Sequence, residues 1–180
     1  MLHSNNLNGS LSSVDFTPLM KGNLQTLALS DNKLTGKVPD SIFQNGRVLH
    51  SLFVDSLDAD HRMTGKLPEN FGELGGLPNL KHMSFNNHNL TGKLPKSLGK
   101  LNCTVSYVTD TNVACDIWLE GNDFDGEVPH ELCDAKWNEI YLGHGNDKLN
   151  CSSLPCIPAQ YASAPDDCDY KNGAGDCVKC

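Results

Sequence analysis

The sequence lacks long apolar runs and clusters of basic residues. Its 180 residues carry a formal net charge of −8, with 38% hydrophobic residues, a sequence pI near 5.2 and a mean hydropathy of −0.38. No stretch approaches the roughly 18 consecutive apolar residues of a membrane-spanning helix. An acidic chain without a basic patch is poorly suited to nucleic acid or to anionic membrane surfaces. We therefore expect about one domain, with no membrane span and no nucleic-acid partner.

Motifs for catalysis and metal binding are also lacking. The sequence has no nucleophile elbow, no phosphate-binding loop and no HExxH. Asp55, Asp58 and Asp60 could offer carboxylates to calcium, but no glycine and no closing glutamate follow in EF-hand register. Cys177 and Cys180 form a lone C-x-x-C, without the second pair that a zinc site needs. The sequence predicts a protein that is not an enzyme and that has no cofactor and no bound metal.

The chain is instead built from a repeated unit, which is clearest in LQTLALSDNKLTGKVPDSIF at residues 24–43. Leu27 and Leu29 flank Ala28, and this alternation predicts a short strand with both leucines on one side. Asn32 can bond backbone groups that a bend leaves unpaired, and Pro39 ends the strand pattern. One such unit cannot bury its own apolar face, so copies must stack on both sides of it.

Five glycine-centred phrases mark the copies. They read LNGSL, LTGKVP, MTGKLP, LTGKLP and FDGEVP, around Gly9, Gly36, Gly65, Gly92 and Gly126. From Leu2 to about Leu149 the chain resembles the plant-type extracellular leucine-rich repeat family, whose pattern is LxxLxLxxNxLTGxIPxxLxxL and which includes polygalacturonase-inhibiting proteins and receptor-kinase ectodomains. The resemblance implies a repeat solenoid of the α/β class: a right-handed superhelix with a parallel concave β-sheet, a convex side of short 3-10 and irregular segments, and a disulfide-stapled C-terminal cap.

The predicted organisation is a solenoid of about six repeats over residues 1–150, followed by a Cys-rich cap over residues 151–180. From Cys151 the composition changes to Pro, Ser, Ala, Asp and Cys without periodicity. The chain opens inside a repeat at Met1 and Leu2, so we expect the N-terminal cap to be missing. A fragment, an incomplete gene model, a processed chain or an end covered by a partner would each explain this start.

The position of Asn32 recurs once in each repeat and predicts a ladder of inward side chains bonded to the backbone. Its members are Asn5, Asn32, His61, His88 and Asn122. Two histidines on neighbouring coils, about 5 Å apart, could also bind a metal or respond to pH. The sequence offers no third metal ligand near them, so it favours hydrogen bonds from both histidines to the backbone.

Cysteines and glycosylation sequons favour the secretory pathway. All eight cysteines lie in the second half of the chain, at Cys103, Cys115, Cys133, Cys151, Cys156, Cys168, Cys177 and Cys180. An even number in an acidic repeat protein predicts disulfides, with Cys103 and Cys115 closing an insertion and Cys133 joining the cap. The sequons lie at Asn8, Asn89, Asn102 and Asn150. We expect a secreted or cell-surface glycoprotein; the alternative is an oxidising organelle lumen.

The residues that alternate outward on the strands predict a protein-binding concave face. The expected partner-binding residues are Phe53, Ser84, Trp118, Tyr141, His82, Asp55 and Glu120. Aromatic side chains on a rigid surface commonly anchor protein interfaces. The alternative is a structural or accessory subunit of a larger assembly. An ice- or polysaccharide-binding surface is less favoured, because the repeated threonine occurs only at Thr35, Thr64 and Thr91.

The cysteine pattern yields a testable expectation. The segment from Cys151 is too polar and aperiodic to pack by itself, so the cysteines after Cys115 should form disulfides that hold the cap closed. Alkylation of the native protein without reductant, followed by mass spectrometry, should then find few reactive thiols. Eight alkylated cysteines would contradict both the stapled cap and the secretory assignment.

Overall fold

The computed structural model of the chain describes residues 2–73, 75–101, 103, 115–134, 137–150 and 169–171. The strands are β1 (Asn8–Ser10), β2 (Thr26–Ala28), β3 (Lys33–Lys37), β4 (Ser51–Phe53), β5 (Met63–Gly65), β6 (His82–Ser84), β7 (Asn89–Gly92), β8 (Cys115–Trp118), β9 (Asp123–Glu127), β10 (Trp137–Tyr141), β11 (Lys148–Asn150) and β12 (Asp169–Lys171). Helix α1 spans Thr17–Met20, and 3-10 helices span Asp40–Phe43, Lys96–Lys100 and His130–Asp134. No helix in these ranges is both long and apolar enough to cross a membrane.

The concave sheet contains β2, β4, β6, β8, β10 and β12 in that order. Its first five strands run parallel, so that equivalent residues of successive repeats lie side by side. The central inward row is buried, at 7% exposure or less; its members are Leu27, Leu52, Met83, Ile117 and Ile140. The parallel, stacked arrangement expected from the repeats is therefore confirmed.

A second parallel sheet runs through the glycine phrases, in the order β1, β3, β5, β7, β9 and β11. The sequence predicted short 3-10 and irregular segments on this side, and 3-10 helices do begin directly after Pro39 and Pro95. The phrases before these prolines are nevertheless extended. Within them Gly36 and Gly92 adopt positive φ angles (84° each), which residues with a side chain rarely adopt, so these two positions favour glycine.

The glycines of these phrases also make room for the preceding repeat. A Cβ at Gly92 would lie 3.2 Å from Cδ of Lys66, and one at Gly126 would lie 3.4 Å from Cε of Lys93. Each lysine stem therefore lies over the glycine of the next coil, while its ammonium group stays at the surface. The space is tightest at Gly36, where a Cβ would lie 2.1 Å from Ser10 Oγ, whereas at Gly65 the nearest atom lies at an ordinary contact distance of 3.5 Å.

The space between the two sheets holds one continuous apolar core. Phe43, Phe71 and Phe85 meet at its centre with 0% exposure, and the Phe43 ring centroid lies 5.5 Å from that of Phe71 and 5.6 Å from that of Phe85. These rings come from consecutive repeats, so each coil completes the core of its neighbours.

Strand β12 closes the concave sheet at its C-terminal edge. It pairs antiparallel with β10, placing Tyr170 opposite Ile140 and Lys171 opposite Glu139. The sequence showed no periodicity after Cys151, and this strand was not expected there. Because the pairing occupies the edge of β10, it covers backbone groups that an open sheet would expose. Residues 151–168 and 172–180 lie outside the described ranges, so the boundary and disulfides of the cap stay predictions.

A ladder of buried amides joins successive coils. Asn122 donates from Nδ2 to the carbonyl oxygens of Leu119 (2.9 Å) in its own repeat and Phe85 (2.8 Å) in the previous one, and its Oδ1 accepts from the backbone N–H of Leu90 (3.1 Å). Asn32 makes the same set of bonds to Leu29, Leu2 and Leu7. Each amide therefore satisfies backbone groups of two coils at once.

The ladder has one member that the sequence pattern missed. Asn146 accepts from the N–H of Phe124 and donates to the carbonyls of Leu119 and Leu142. It follows Leu142 by four residues, whereas Asn32 follows Leu29 by three. Because of this extra residue, the sequence spacing did not identify Asn146 as the equivalent of Asn32.

His88 occupies the ladder in place of an asparagine. It is 2% exposed, its Nδ1 accepts from the N–H of Met63 (3.2 Å), and its Nε2 donates to the carbonyl of Val54. A backbone N–H can only donate and a carbonyl can only accept, so these partners require the neutral imidazole protonated at Nε2. The histidine thus reproduces the inter-coil bonds of an asparagine.

Two of the predicted ladder positions differ from the expectation. His61 is displaced into the inserted loop, where its Nδ1 lies 2.7 Å from Asp58 Oδ2 and its side chain is 31% exposed. The insertion before it changes the path of the chain, and Ser56 instead bonds the carbonyls of Asp58 and His61. Asn5 bonds only the carbonyls of Leu2 and His3 in its own coil and is exposed.

Substitution of a ladder asparagine should destabilise the protein. Asn122→Ala leaves buried backbone groups of two coils without partners, and we expect a loss of about 1–3 kcal/mol in the free energy of unfolding. Asn5→Ala is the matched control, because the same substitution there removes only local, exposed bonds; its effect should stay below about 0.5 kcal/mol. Chemical denaturation of both variants measures the difference. Equal losses would contradict the inter-coil role of Asn122.

His88 should make stability depend on pH. Burial lowers the pKa of His88, partly opposed by its bond to Val54; the Asp55 charge also raises it and the Arg62 charge lowers it. In the unfolded state the histidine becomes protonated near pH 6.5, whereas in the folded state it stays neutral to lower pH. The free energy of unfolding is therefore unaffected by this group above about pH 6.5 and decreases as the pH falls below it. The loss can reach about 1.4 kcal/mol per pH unit. Denaturation between pH 7.5 and 5.5 should show this slope in the wild type and lose it in His88→Asn.

Candidate recognition surface

The outward residues of the concave sheet form three parallel rows. The first row contains Thr26, Ser51, His82, Asp116 and Glu139, and the middle row contains Ala28, Phe53, Ser84, Trp118 and Tyr141. The third row follows the strand ends and contains Ser30, Asp55, Asn86, Glu120 and Gly143. We refer to these as the first, middle and third concave rows.

The middle row contains three large aromatic side chains and two small ones, with Trp118 and Tyr141 adjacent at its C-terminal end. Phe53, Trp118 and Tyr141 are partly exposed, whereas Ala28 and Ser84 are 6% and 5% exposed. Ser84, which the sequence placed among the partner-binding residues, is thus largely covered. The flanking Leu52, Val54, Ile117, Leu119, Ile140 and Leu142 are all buried, as alternation requires.

The two polar rings of the middle row keep unused hydrogen-bonding atoms. Within the described part of the chain, neither the indole N–H of Trp118 nor the hydroxyl of Tyr141 has a hydrogen-bond partner. The other tryptophan, Trp137, is 7% exposed and donates its indole N–H to the carbonyl of Leu132 at 2.6 Å. Trp137 therefore belongs to the core, and Trp118 belongs to the surface.

Asp55 is the centre of a hydrogen-bond network in the third row. Its Oδ2 accepts from Ser30 Oγ at 2.9 Å, and its Oδ1 accepts from Ser84 Oγ and from the backbone N–H of Asn86 at 3.2 Å. These donors come from the repeats on either side of it. They hold the carboxylate in one orientation at the edge of the concave face.

Asn86 continues this network to the next acidic residue. Its Oδ1 accepts from the backbone N–H of Glu120 at 3.0 Å, and its Nδ2 lies 3.5 Å from Glu120 Oε2. Asp55 and Glu120 are thus connected through one asparagine on the coil between them. Both were expected at the partner-binding face, and both are partly exposed.

The first row contains a histidine–aspartate pair. His82 Nδ1 lies 2.7 Å from Asp116 Oδ2, and the two side chains are 39% and 13% exposed. Ser51 lies beside His82 on the other side of the row, but the two side chains share no hydrogen bond within the described ranges. The backbone N–H groups of Ser51, His82 and Asp116 bond neighbouring strands, so none serves as an oxyanion donor. The pair orients an imidazole at the surface of the concave face.

The insertion after β4 lies next to Asp55 at the rim of the concave face. Asp58 accepts from the N–H of Asp60 at 2.9 Å and contacts His61, and these interactions, the N–H of Asp60 first, lower the pKa of Asp58. The Asp58 carboxylate is therefore used within the loop. No cluster of metal-ligating side chains occurs in the described ranges. Leu57 beside them is 83% exposed, an apolar contact point that no sequence pattern indicated.

The predicted bond between Cys103 and Cys115 is confirmed, with a Cα–Cα distance of 5.4 Å. It anchors the start of β8 and closes the second insertion, whose residues 104–114 lie outside the described ranges, as does the sequon at Asn102. The side chain of Cys133 and the whole of Cys151, Cys156, Cys168, Cys177 and Cys180 are also outside them. The sequon residues Asn8, Asn89 and Asn150 are exposed.

Comparison with known proteins agrees with this architecture. The model of the leucine-rich repeat family matches residues 23–45 and 79–101. The leucine-rich repeat ectodomain of the receptor kinase SOBIR1 from Arabidopsis thaliana is 25% identical, with a TM-score of 0.54, over 82% of this chain and 68% of that one. Pollen Receptor Kinase 3 is 26% identical, with a TM-score of 0.53, over 87% of this chain and 76% of that one. No curated protein sequence gave a match.

A larger relative in structure is the Arabidopsis receptor kinase HAESA, solved with the peptide hormone IDA and the co-receptor SERK1. It is 20% identical, with a TM-score of 0.61, and the match covers 85% of this chain but 26% of HAESA. The match to PEPR1, solved with AtPEP1, likewise covers 16% of that chain. The chain is therefore a leucine-rich repeat solenoid. It is similar to plant receptor-kinase structures and spans a fraction of the longer ones.

Proposed function

We propose that the chain is a non-catalytic recognition module that binds a protein partner on its concave face. The observation that carries this proposal is the middle row, where Phe53, Trp118 and Tyr141 stay partly exposed on a sheet whose other side is fully buried. Such rings offer a large apolar area with few rotatable bonds, and Trp and Tyr are enriched among interface hot spots.

The scaffold beneath these rings supports the same proposal. The concave strands are joined by continuous parallel pairing and by the buried ladder of Asn32, His88, Asn122 and Asn146. A surface that is already ordered loses less conformational entropy on binding than a mobile loop does. The strands that carry the aromatic side chains are therefore already ordered before a partner binds.

The structural relatives fit a protein partner but do not carry the argument. HAESA was solved with a peptide and a co-receptor, and at 20% identity that likeness is one of fold. What supports binding here is the composition of this chain's own concave rows. For the location, the Cys103–Cys115 disulfide and the exposed sequon residues Asn8, Asn89 and Asn150 favour a secreted or cell-surface protein.

The two tryptophans provide a matched test. Partners captured with the full chain are identified by mass spectrometry, and their affinities are then measured with Trp118→Ala and Trp137→Ala. Trp118→Ala should weaken binding about thirty-fold, the effect of losing a 2 kcal/mol hot spot, and should leave the melting temperature nearly unchanged. Trp137→Ala should instead destabilise the fold by about 3–5 kcal/mol, because it empties a core site.

Two results would contradict the proposal. If Trp118→Ala unfolds the protein as Trp137→Ala does, the ring belongs to the core and the middle row is misassigned. If Trp118→Ala changes neither affinity nor stability, the partner binds another surface, and a structural role within an assembly gains support.

A further inference from the structure

The concave face carries the same pair of side chains twice. Phe53 ends β4 and is followed two residues later by Asp55, and Trp118 ends β8 and is followed two residues later by Glu120. Backbone pairing with the neighbouring coils continues at Asp55 and Glu120, so the chain stays extended there and each aromatic side chain is on the same side as its carboxylate. We call these the Phe53–Asp55 subsite and the Trp118–Glu120 subsite.

In the middle and third rows, the strand between the subsites presents small polar side chains. Strand β6 lies between β4 and β8 and offers Ser84 in the middle row and Asn86 in the third row. Ser84 and Asn86 both donate to Asp55, and Asn86 also approaches Glu120. The coil that contains β6 therefore leaves space between the two aromatic side chains, and its hydrogen bonds orient both carboxylates.

Each subsite has the chemistry that recognises a basic side chain. An aromatic face attracts the cation and packs against its aliphatic stem, and a carboxylate beside the ring bonds the charged head. The one basic side chain in the described parts of the three rows is His82, and it contacts Asp116. Glu139 is not part of either subsite, because it lies in the first row, beside Asp116.

The spacing of the subsites defines how the two cations must be arranged. Neighbouring strands lie about 4.8 Å apart, so β4 and β8 are separated by about 9.6 Å. A polyproline II peptide has three residues per turn and rises about 3.1 Å per residue, which brings residues i and i+3 to the same face about 9.3 Å apart. In a β-strand, residues i and i+2 lie about 6.7 Å apart and residues i and i+4 about 13 Å apart, and neither distance fits.

We propose that the concave face recognises a peptide segment in polyproline II conformation with two basic residues three positions apart, one in each subsite. This inference rests on the proposed function and names the class of partner that it would bind. The acidic charge of the whole chain, −8, favours the approach of such a segment. Leu57, 83% exposed at the rim beside Asp55, offers an apolar contact to a flanking residue.

The test uses capped, proline-rich octapeptides of equal composition with two arginines at i,i+3, at i,i+2 or at i,i+4. Binding of each labelled peptide to the full chain is followed by fluorescence anisotropy at physiological salt. The i,i+3 peptide should bind at least about tenfold more tightly than either isomer, since only it fills both subsites. Equal affinity of the three isomers, or no binding up to millimolar concentration, would overturn the proposal.

Substitutions can distinguish peptide binding at the two subsites from non-specific electrostatic attraction to an acidic protein. Glu120→Gln and Trp118→Ala should each weaken the i,i+3 peptide about five- to tenfold and abolish its advantage over the isomers. Glu127→Gln is the matched control, because it removes the same charge from an exposed position on the second sheet. If Glu127→Gln weakens binding as much as Glu120→Gln, the attraction is not site-specific and the inference fails.

Failure of this inference can be told apart from failure of the proposed function. A captured partner that loses affinity with Trp118→Ala, together with peptides that show no spacing preference, retains the concave recognition face and rejects the basic peptide class. A captured partner that is insensitive to Trp118→Ala rejects the concave face itself. Melting temperatures of Glu120→Gln and Trp118→Ala close to that of the wild type show that a loss of peptide binding is not a loss of fold.

Discussion

Inter-coil hydrogen bonds from buried ladder side chains are the interactions on which the solenoid depends. After each concave strand the chain turns sharply, which takes backbone groups out of the sheet and away from water. Asn32, Asn122 and Asn146 satisfy these groups in their own coil and in the preceding one. Because one side chain serves two coils, the stacking geometry and the turn geometry are specified together.

His88 shows how chemically specific this requirement is. An imidazole replaces the amide only as the neutral tautomer that accepts at Nδ1 and donates at Nε2. The same bonds that hold the coil together therefore make it sensitive to protonation. Where the ladder is interrupted, at the insertion near His61, Ser56 and Asp58 build a separate network within the loop.

The two sheets have different roles: the second sheet packs successive coils together, and the concave sheet arranges the exposed side chains. The second sheet packs coils closely, with lysine stems resting on the glycines of the next phrase. The concave sheet keeps its strands in strict register, so side chains from distant parts of the sequence form ordered rows. Phe53 and Trp118 lie 65 positions apart in the chain but are two strands apart on this face. The arrangement of these surface rows is a product of stacking, not of any local motif.

The repeat, the buried and exposed faces of the strands, the ladder positions Asn32 and Asn122, and the Cys103–Cys115 bond could all be predicted from the sequence. These features follow from local alternation and from spacing, which a linear pattern records directly. The folded structure was needed to see that β12 closes the sheet, that Asn146 extends the ladder, that His61 leaves it, and that Ser84 is covered and bonded to Asp55. Those features depend on where the irregular segments pack against the repeats. Such contacts join residues tens of positions apart, and the local repeat pattern of the sequence does not record them.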